Sequence, residues 1–168
     1  AQYLADARWM REQAKKYGAV FLVNDRLDIA LLSGADGVHL GQEDVPVDEA
    51  KRLAAACGRT DFLVGATAKT GEQALRAFQM GADYIGSGAW HPTSTKPDAL
   101  PIREETYREI LGKAPIPNVA IGGLTPENCD LPLELGASGL AVAGGILGAG
   151  SITGAVEKFR EKLNKRRN

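Results

Sequence analysis

The sequence predicts an α/β protein of the (β/α)8 TIM-barrel class, and three observations predict it. Short apolar runs of strand length alternate with helical patterns along the chain. The phrases GADGVHL, GADYIG and GASGLAV recur, each a helix-ending glycine followed by entry into a strand. Two late glycine turns, Ile121-Gly122-Gly123-Leu124-Thr125 and Ala143-Gly144-Gly145-Ile146, follow buried runs. Barrels commonly hold phosphate on the loops after their last two strands. An open doubly wound sheet is the competing architecture, but no Gly-x-Gly-x-x-Gly stands at a first strand-to-helix turn.

The elements follow in order. Tyr3, Leu4, Ala7, Met10, Ala14 and Tyr17 fall at helical spacing and predict an amphipathic helix over residues 3–17, ended by Gly18. The run Ala19-Val20-Phe21-Leu22-Val23 predicts a strand at 20–24, buried on both faces. Further strands are predicted near 37–40, 62–66, 82–88, 117–122 and 138–143. Helices are predicted near 27–33, 47–57, 71–80, 103–112, 126–135 and 152–165. Thr70 with Gln73 suits a capping box, and Thr125-Pro126 suits a cap before a first-turn proline. No low-complexity linker interrupts residues 1–168, so they read as a single TIM-barrel domain. With six strands and an opening helix, about two strands and a helix are expected upstream, which makes this an N-terminally incomplete barrel.

A formal charge of −1 excludes general attraction to nucleic acid or an acidic membrane. The basic run from Lys162 to Asn168 reads as a solvated helix end. No run approaches the roughly 18 apolar residues of a membrane span. Cys57 and Cys129 lack metal-ligand spacing and read as reduced core thiols, which suits a cytoplasmic protein. The partners expected are small molecules, not nucleic acid or membrane, and a homo-oligomer stays open.

Catalytic groups in barrels project from the C-terminal ends of the strands. There the sequence places Asn24-Asp25-Arg26, then Gly41-Gln42-Glu43-Asp44, then Thr67. The loop Gly86-Ser87-Gly88-Ala89-Trp90-His91-Pro92-Thr93-Ser94-Thr95-Lys96 follows. Asp25 and Asp44, on neighbouring strands, suit a shared Mg2+, a hard cation completed by substrate phosphate. They equally suit capping of the helices that follow. Thr93, Ser94, Thr95 and Lys96 offer hydroxyl donors and a point charge for a diphosphate. A solvated turn has the same composition, and the glycine turns serve equally as tight left-handed turns. His39, within a strand, suits packing or support of another polar group. His91 reads as a wall or surface residue. Two phosphorylated ligands facing each other suggest group transfer with diphosphate leaving.

FLVNDRLDIALLSGADGVHLGQEDVP, GADYIGSGAWHPTSTKPDA and VAIGGLTPENC closely resemble the thiamine phosphate synthase (thiamine-phosphate pyrophosphorylase) family, in order from about residue 5 onward. The resemblance implies a barrel enzyme that joins hydroxymethylpyrimidine diphosphate to thiazole phosphate, giving thiamine phosphate and diphosphate. It implies that Asn24 meets the diphosphate region of the pyrimidine substrate and that Asp25 and Asp44 bind Mg2+. Thr67 stands where the family usually has a serine touching the pyrimidine substrate. Thr93 and Thr95 would help bind the thiazole phosphate, with Ser94 a further substrate-binding candidate between them, and Lys96 would bind the diphosphate. Gly122 and the Ala143-Gly144 turn would hold the thiazole phosphate through backbone N–H groups. Lys96, Asn24 and Thr67 are thereby the catalytic candidates. Three departures stand out. The family's glutamine/arginine/lysine stretch is expected upstream of Ala1, Gly144-Gly145 replaces the usual hydroxyl turn, and Trp90-His91 breaks the usual pattern. A thiazole-aromatising isomerase of the same fold and a non-catalytic phosphate-ligand protein are the alternatives. The isomerase tends to carry a histidine near Lys69 and to lack the Pro-Thr-x-Thr-Lys loop.

Overall fold

The computed structural model describes residues 1–93 and 100–165. The chain divides into two compact units. One comprises Ala1–Thr67 and Arg76–Tyr84, the other Ala68–Leu75 and Ile85–Asn168.

The first unit opens with α1 (Gln2–Lys16), then β1 (Leu22–Asn24), α2 (Leu27–Ser33), β2 (Gly37–Leu40), α3 (Val47–Ala56) and β3 (Leu63–Thr67). The strands are parallel, β1 pairing with β2 and β2 with β3. Asn24 lies opposite His39, and His39 opposite Gly65, in one row across the three strands. Side chains alternate along a strand, so Gly65 and Thr67 share a face. Val38 and Val64 occupy the other face and are fully buried. Two expectations need correction here. The first strand begins at Leu22, and only Val23 is buried within it, while Val20 is 64% exposed. Among the described residues β1 pairs with β2 alone, whereas β2 is paired on both sides, so β1 is the less covered strand. In α1 only Ala7 is buried, and Tyr3, Met10 and Tyr17 of the expected apolar face are exposed. Small Ala7 and two arginines hold that helix: Arg11 Nε donates to Gly34 O at 2.8 Å and Arg8 to Leu32 O.

The second unit holds β4 (Tyr84–Ser87, from Ile85), α5 (Glu104–Lys113), β5 (Asn118–Ile121), α6 (Asp130–Leu135), β6 (Gly139–Ala141), α7 (Gly144–Leu147) and α8 (Ile152–Lys165). The boundary also falls inside α4 (Gly71–Gln79). Parallel pairing joins β4 to β5 and β5 to β6. Trp90, Tyr107, Ala120, Leu124, Cys129, Leu133 and Phe159 form its core. Thr70 Oγ1 accepts from Gln73 N–H, as a capping box requires, while Gln73 Oε1 accepts from Lys69 N–H. The cap expected at Thr125-Pro126 is a turn instead. Asn128 Oδ1 accepts the Thr125 N–H at 2.7 Å, and the helix starts only at Asp130. Cys129 is buried as expected, but Cys57 is exposed, because it closes the last turn of α3 on the solvent side.

The recurring phrases have one structural meaning. Gly34, Gly81 and Gly136 all take positive φ (73°, 89° and 124°), a backbone state that glycine reaches without strain. The alanine that follows each, buried in every case, donates its N–H back to a carbonyl of the preceding helix: Ala35 to Ala30, Ala82 to Ala77, Ala137 to Pro132. The polar residue after that alanine reaches the preceding strand. Asp36 accepts from Phe21 N–H, Asp83 from Val64 N–H, and Ser138 Oγ from Asn118 N–H. Asp83 also receives Lys51 Nζ at 2.6 Å. Asp83→Ala is expected to lower unfolding free energy by about 1–3 kcal/mol, measured by urea denaturation, because it orphans the Val64 amide.

No helix among the described residues is long and apolar enough to cross a membrane.

Candidate active site

In the first unit, the polar groups predicted to act gather at the C-terminal ends of β1, β2 and β3. Asn24 ends β1 and is exposed. Asp25 follows it at φ 63°, a left-handed conformation, and its N–H donates to His39 O at 2.8 Å. That bond fixes where β1 stops along β2. Asp44 lies beyond β2, where its Oδ2 accepts the Gly41 N–H at 2.7 Å and closes the loop on itself. Neither aspartate caps a helix: α2 is preceded by Arg26 and α3 by Pro46, both without a side-chain cap. Neither forms an ion pair among the described residues. The capping alternative is therefore set aside.

Thr67, the last residue of β3, is held at both ends. Its hydroxyl lies 3.0 Å from His39 Nε2, and its carbonyl accepts from Gln42 Nε2. His39 Nδ1 lies 2.8 Å from the Tyr84 hydroxyl, and the two rings are tilted at 31°. A Cβ on Gly65 would stand 2.1 Å from Tyr84 Cζ, so the tyrosine ring occupies the space that a side chain there would need. His39 thus supports another polar group, as its strand position suggested. Sequence reading missed Tyr84 and the role of Gln42. Tyr84 sits within an apolar strand segment, and Gly65 opposite its ring is the one sequence signal that could have found it.

Burial pushes the Tyr84 phenol up to about 12, from an ordinary value near 10. The folded state favours the protonated phenol, so this stabilisation is complete below pH 10 and disappears as pH rises towards 12. In an alkaline titration followed by tyrosinate absorbance, Tyr84→Phe is expected to remove a step at about pH 12.

In the second unit, the segment after β4 runs along the glycine turn after β5. Trp90 N–H donates to Ile121 O and His91 N–H to Gly122 O. Gly122 and Gly123 have φ of 100° and 61°, and a Cβ on Gly123 would meet Pro92 O at 2.6 Å. Close packing of the two segments requires both glycines. Trp90 is buried, its ring edge-on to Tyr107 at 4.7 Å, so it is a core residue. His91 is half-buried, and so is Thr93. Ser94, Thr95 and Lys96 lie outside the described residues.

The last glycine turn differs. Gly144 is exposed, and a Cβ added there would meet nothing within 4 Å, whereas a Cβ on Gly145 would strike Leu124 O. Gly144 opens α7, a short helix that its glycines hid from sequence reading. Ala143 precedes it and is exposed. An open hollow of about 470 Å3 is bounded by Thr125, Gly144, Gly145, Ser151 and Lys158. Among the described residues expected to hold phosphate, Gly144 lines it, and Gly122 and Ala143 do not.

Parallel β/α units with polar groups at the strands' C-terminal ends define an α/β enzyme. The family model for thiamine monophosphate synthase matches residues 1–146. A thiamine-phosphate synthase of Pyrococcus abyssi is 41% identical over 93% of this chain and 73% of that protein. One of Methanocella arvoryzae is 43% identical over 94% of this chain and 73% of that protein. The structure of a thiamine phosphate pyrophosphorylase from Pyrococcus furiosus superposes with a TM-score of 0.88, at 36% identity, over 99% of this chain and 78% of that one. The chain belongs to the thiamine monophosphate synthase family, and it is a transferase of thiamine biosynthesis.

Proposed function

We propose that the protein joins hydroxymethylpyrimidine diphosphate to thiazole phosphate on a (β/α)8 barrel, releasing diphosphate and forming thiamine phosphate. The observation that carries this reading is the match of the thiamine monophosphate synthase family model to residues 1–146, a stretch that includes Asn24, Asp25, Asp44 and Thr67 at or beyond the ends of β1, β2 and β3. Both substrates are small soluble phosphates, so we place the reaction in the cytoplasm.

The C–O bond between the pyrimidine methylene and the diphosphate breaks, and its electron pair leaves with the diphosphate. The thiazole nitrogen lone pair then forms the new C–N bond, and no proton needs to move. Asn24 orients the diphosphate and Thr67 the pyrimidine. Lys96 places a fixed positive charge against the leaving group. Backbone N–H groups at Gly122 and the Ala143-Gly144 turn, with the Thr93, Ser94 and Thr95 loop, hold the thiazole phosphate. Positioning and preorganised charge do most of the work in such a step.

Asp25 and Asp44 fit Mg2+. They are two oxygen donors beyond the neighbouring strands β1 and β2. Such a pair suits an ion completed by water and substrate phosphate rather than by an all-protein cage. Bound there, Mg2+ would neutralise charge developing on the departing diphosphate.

The test is diphosphate release with both substrates and Mg2+. Release should require both substrates and stop with EDTA. Binding of thiazole phosphate without any turnover would overturn the reading.

A further inference from the structure

We propose that His39 is a positioning residue for Thr67, with Tyr84 fixing the imidazole, so that the three side chains act as one hydrogen-bonded unit. The inference rests on the reading that Thr67 touches the pyrimidine substrate. His39 Nε2 lies 3.0 Å from Thr67 Oγ1, and Nδ1 lies 2.8 Å from the Tyr84 hydroxyl. A neutral imidazole has one N–H and one acceptor nitrogen. A phenol kept protonated by burial has a hydrogen to place, and Nδ1 is the acceptor within reach. The N–H is then on Nε2 and donates to Thr67 Oγ1. The threonine hydroxyl, which otherwise rotates freely, is left with its own hydrogen aimed onward, available to an acceptor on the substrate.

The geometry is built rather than incidental. Gly65 lies opposite His39 in register, and its missing side chain is the space that the Tyr84 ring fills. Gln42 holds the Thr67 carbonyl, which fixes the backbone from which the hydroxyl projects. A serine would rotate more easily than a threonine, whose branched Cβ restricts χ1. The threonine and the ring nitrogen together leave one orientation.

Steady-state kinetics with both substrates tests this on Thr67→Val, His39→Leu, the double variant, His39→Gln and Tyr84→Phe. Thr67→Val and His39→Leu should each raise KM for the pyrimidine diphosphate about tenfold, the loss of one hydrogen bond to substrate. KM for thiazole phosphate should move less than about twofold, and the double variant should be no worse than Thr67→Val alone. His39→Gln, whose amide can present a donor near the Nε2 position, should recover most of the loss. Tyr84→Phe removes one oxygen and should raise the same KM by about threefold. A His39→Leu effect that multiplies with that of Thr67→Val, or falls equally on both substrates, overturns the positioning role and leaves the Thr67 contact standing. An unchanged KM in Thr67→Val overturns the contact and the proposal with it. If His39→Leu does not fold, Tyr84→Phe decides: no change in KM for the pyrimidine diphosphate overturns the proposal.

Discussion

Asp25→Asn is expected to lower the rate of diphosphate release by about a hundredfold or more, while the melting temperature stays nearly unchanged. Asparagine keeps the size of aspartate and removes its charge, which is what a Mg2+ ligand needs; losing several kcal/mol of charge stabilisation accounts for the rate. The choice of asparagine follows from the backbone. Asp25 sits at φ 63°, where asparagine is tolerated and most other residues cost roughly 1–2 kcal/mol. Asp25→Ala would mix strain with lost charge. Activity and thermal unfolding measured side by side separate the two effects. A variant that retains full Mg2+-dependent turnover would remove Asp25 from the metal site.

Asn118→Leu is expected to be the most damaging single change in the second unit, costing about 3 kcal/mol or more in a denaturant titration. Asn118 is 2% exposed and links two other buried groups. Its Oδ1 accepts from the Tyr107 hydroxyl at 2.7 Å, and its Nδ2 donates to Ser87 Oγ at 2.9 Å. Leucine matches the volume but removes both bonds. A buried polar group that loses its partner costs roughly 1–3 kcal/mol, and this substitution takes a partner from two. Tyr107→Phe, which removes a single hydroxyl, should cost less. The contrast distinguishes a polar network from simple packing.

Much of the fold could be read from sequence because its signals are local. Gly34, Gly81 and Gly136 announce helix ends through backbone freedom, and Thr70 with Gln73 announces a helix start. The placement of Asn24, Asp25, Asp44 and Thr67 at or beyond strand ends was legible because the strand-helix alternation locates those ends. What failed depended on neighbours. Val20, Met10 and Tyr17 are apolar but exposed, since periodicity reports which face is apolar and not what covers it. Thr125-Pro126 has the composition of a helix cap, yet the residues after it form a turn and the helix starts only at Asp130. Trp90 stands beside the hydroxyl loop in sequence, which suggests a pocket wall, yet its ring turns into the core against Tyr107. The link from His39 to Tyr84 spans 45 residues and has no local signature.

The Gly-Ala-Asp and Gly-Ala-Ser turns bear on how the chain finds its structure. Each latches a strand entry to the strand before it, across 15, 19 and 20 residues. Loop-closure entropy grows only with the logarithm of length, so the three closures differ by about 0.3 kcal/mol. Each latch therefore forms on nearly equal terms and without waiting for a distant partner. Short-range closure of this kind favours rapid assembly. A substitution at one latch should slow one β/α step and leave the others their own pace, so the repeat acts as a series of independent starting points for folding.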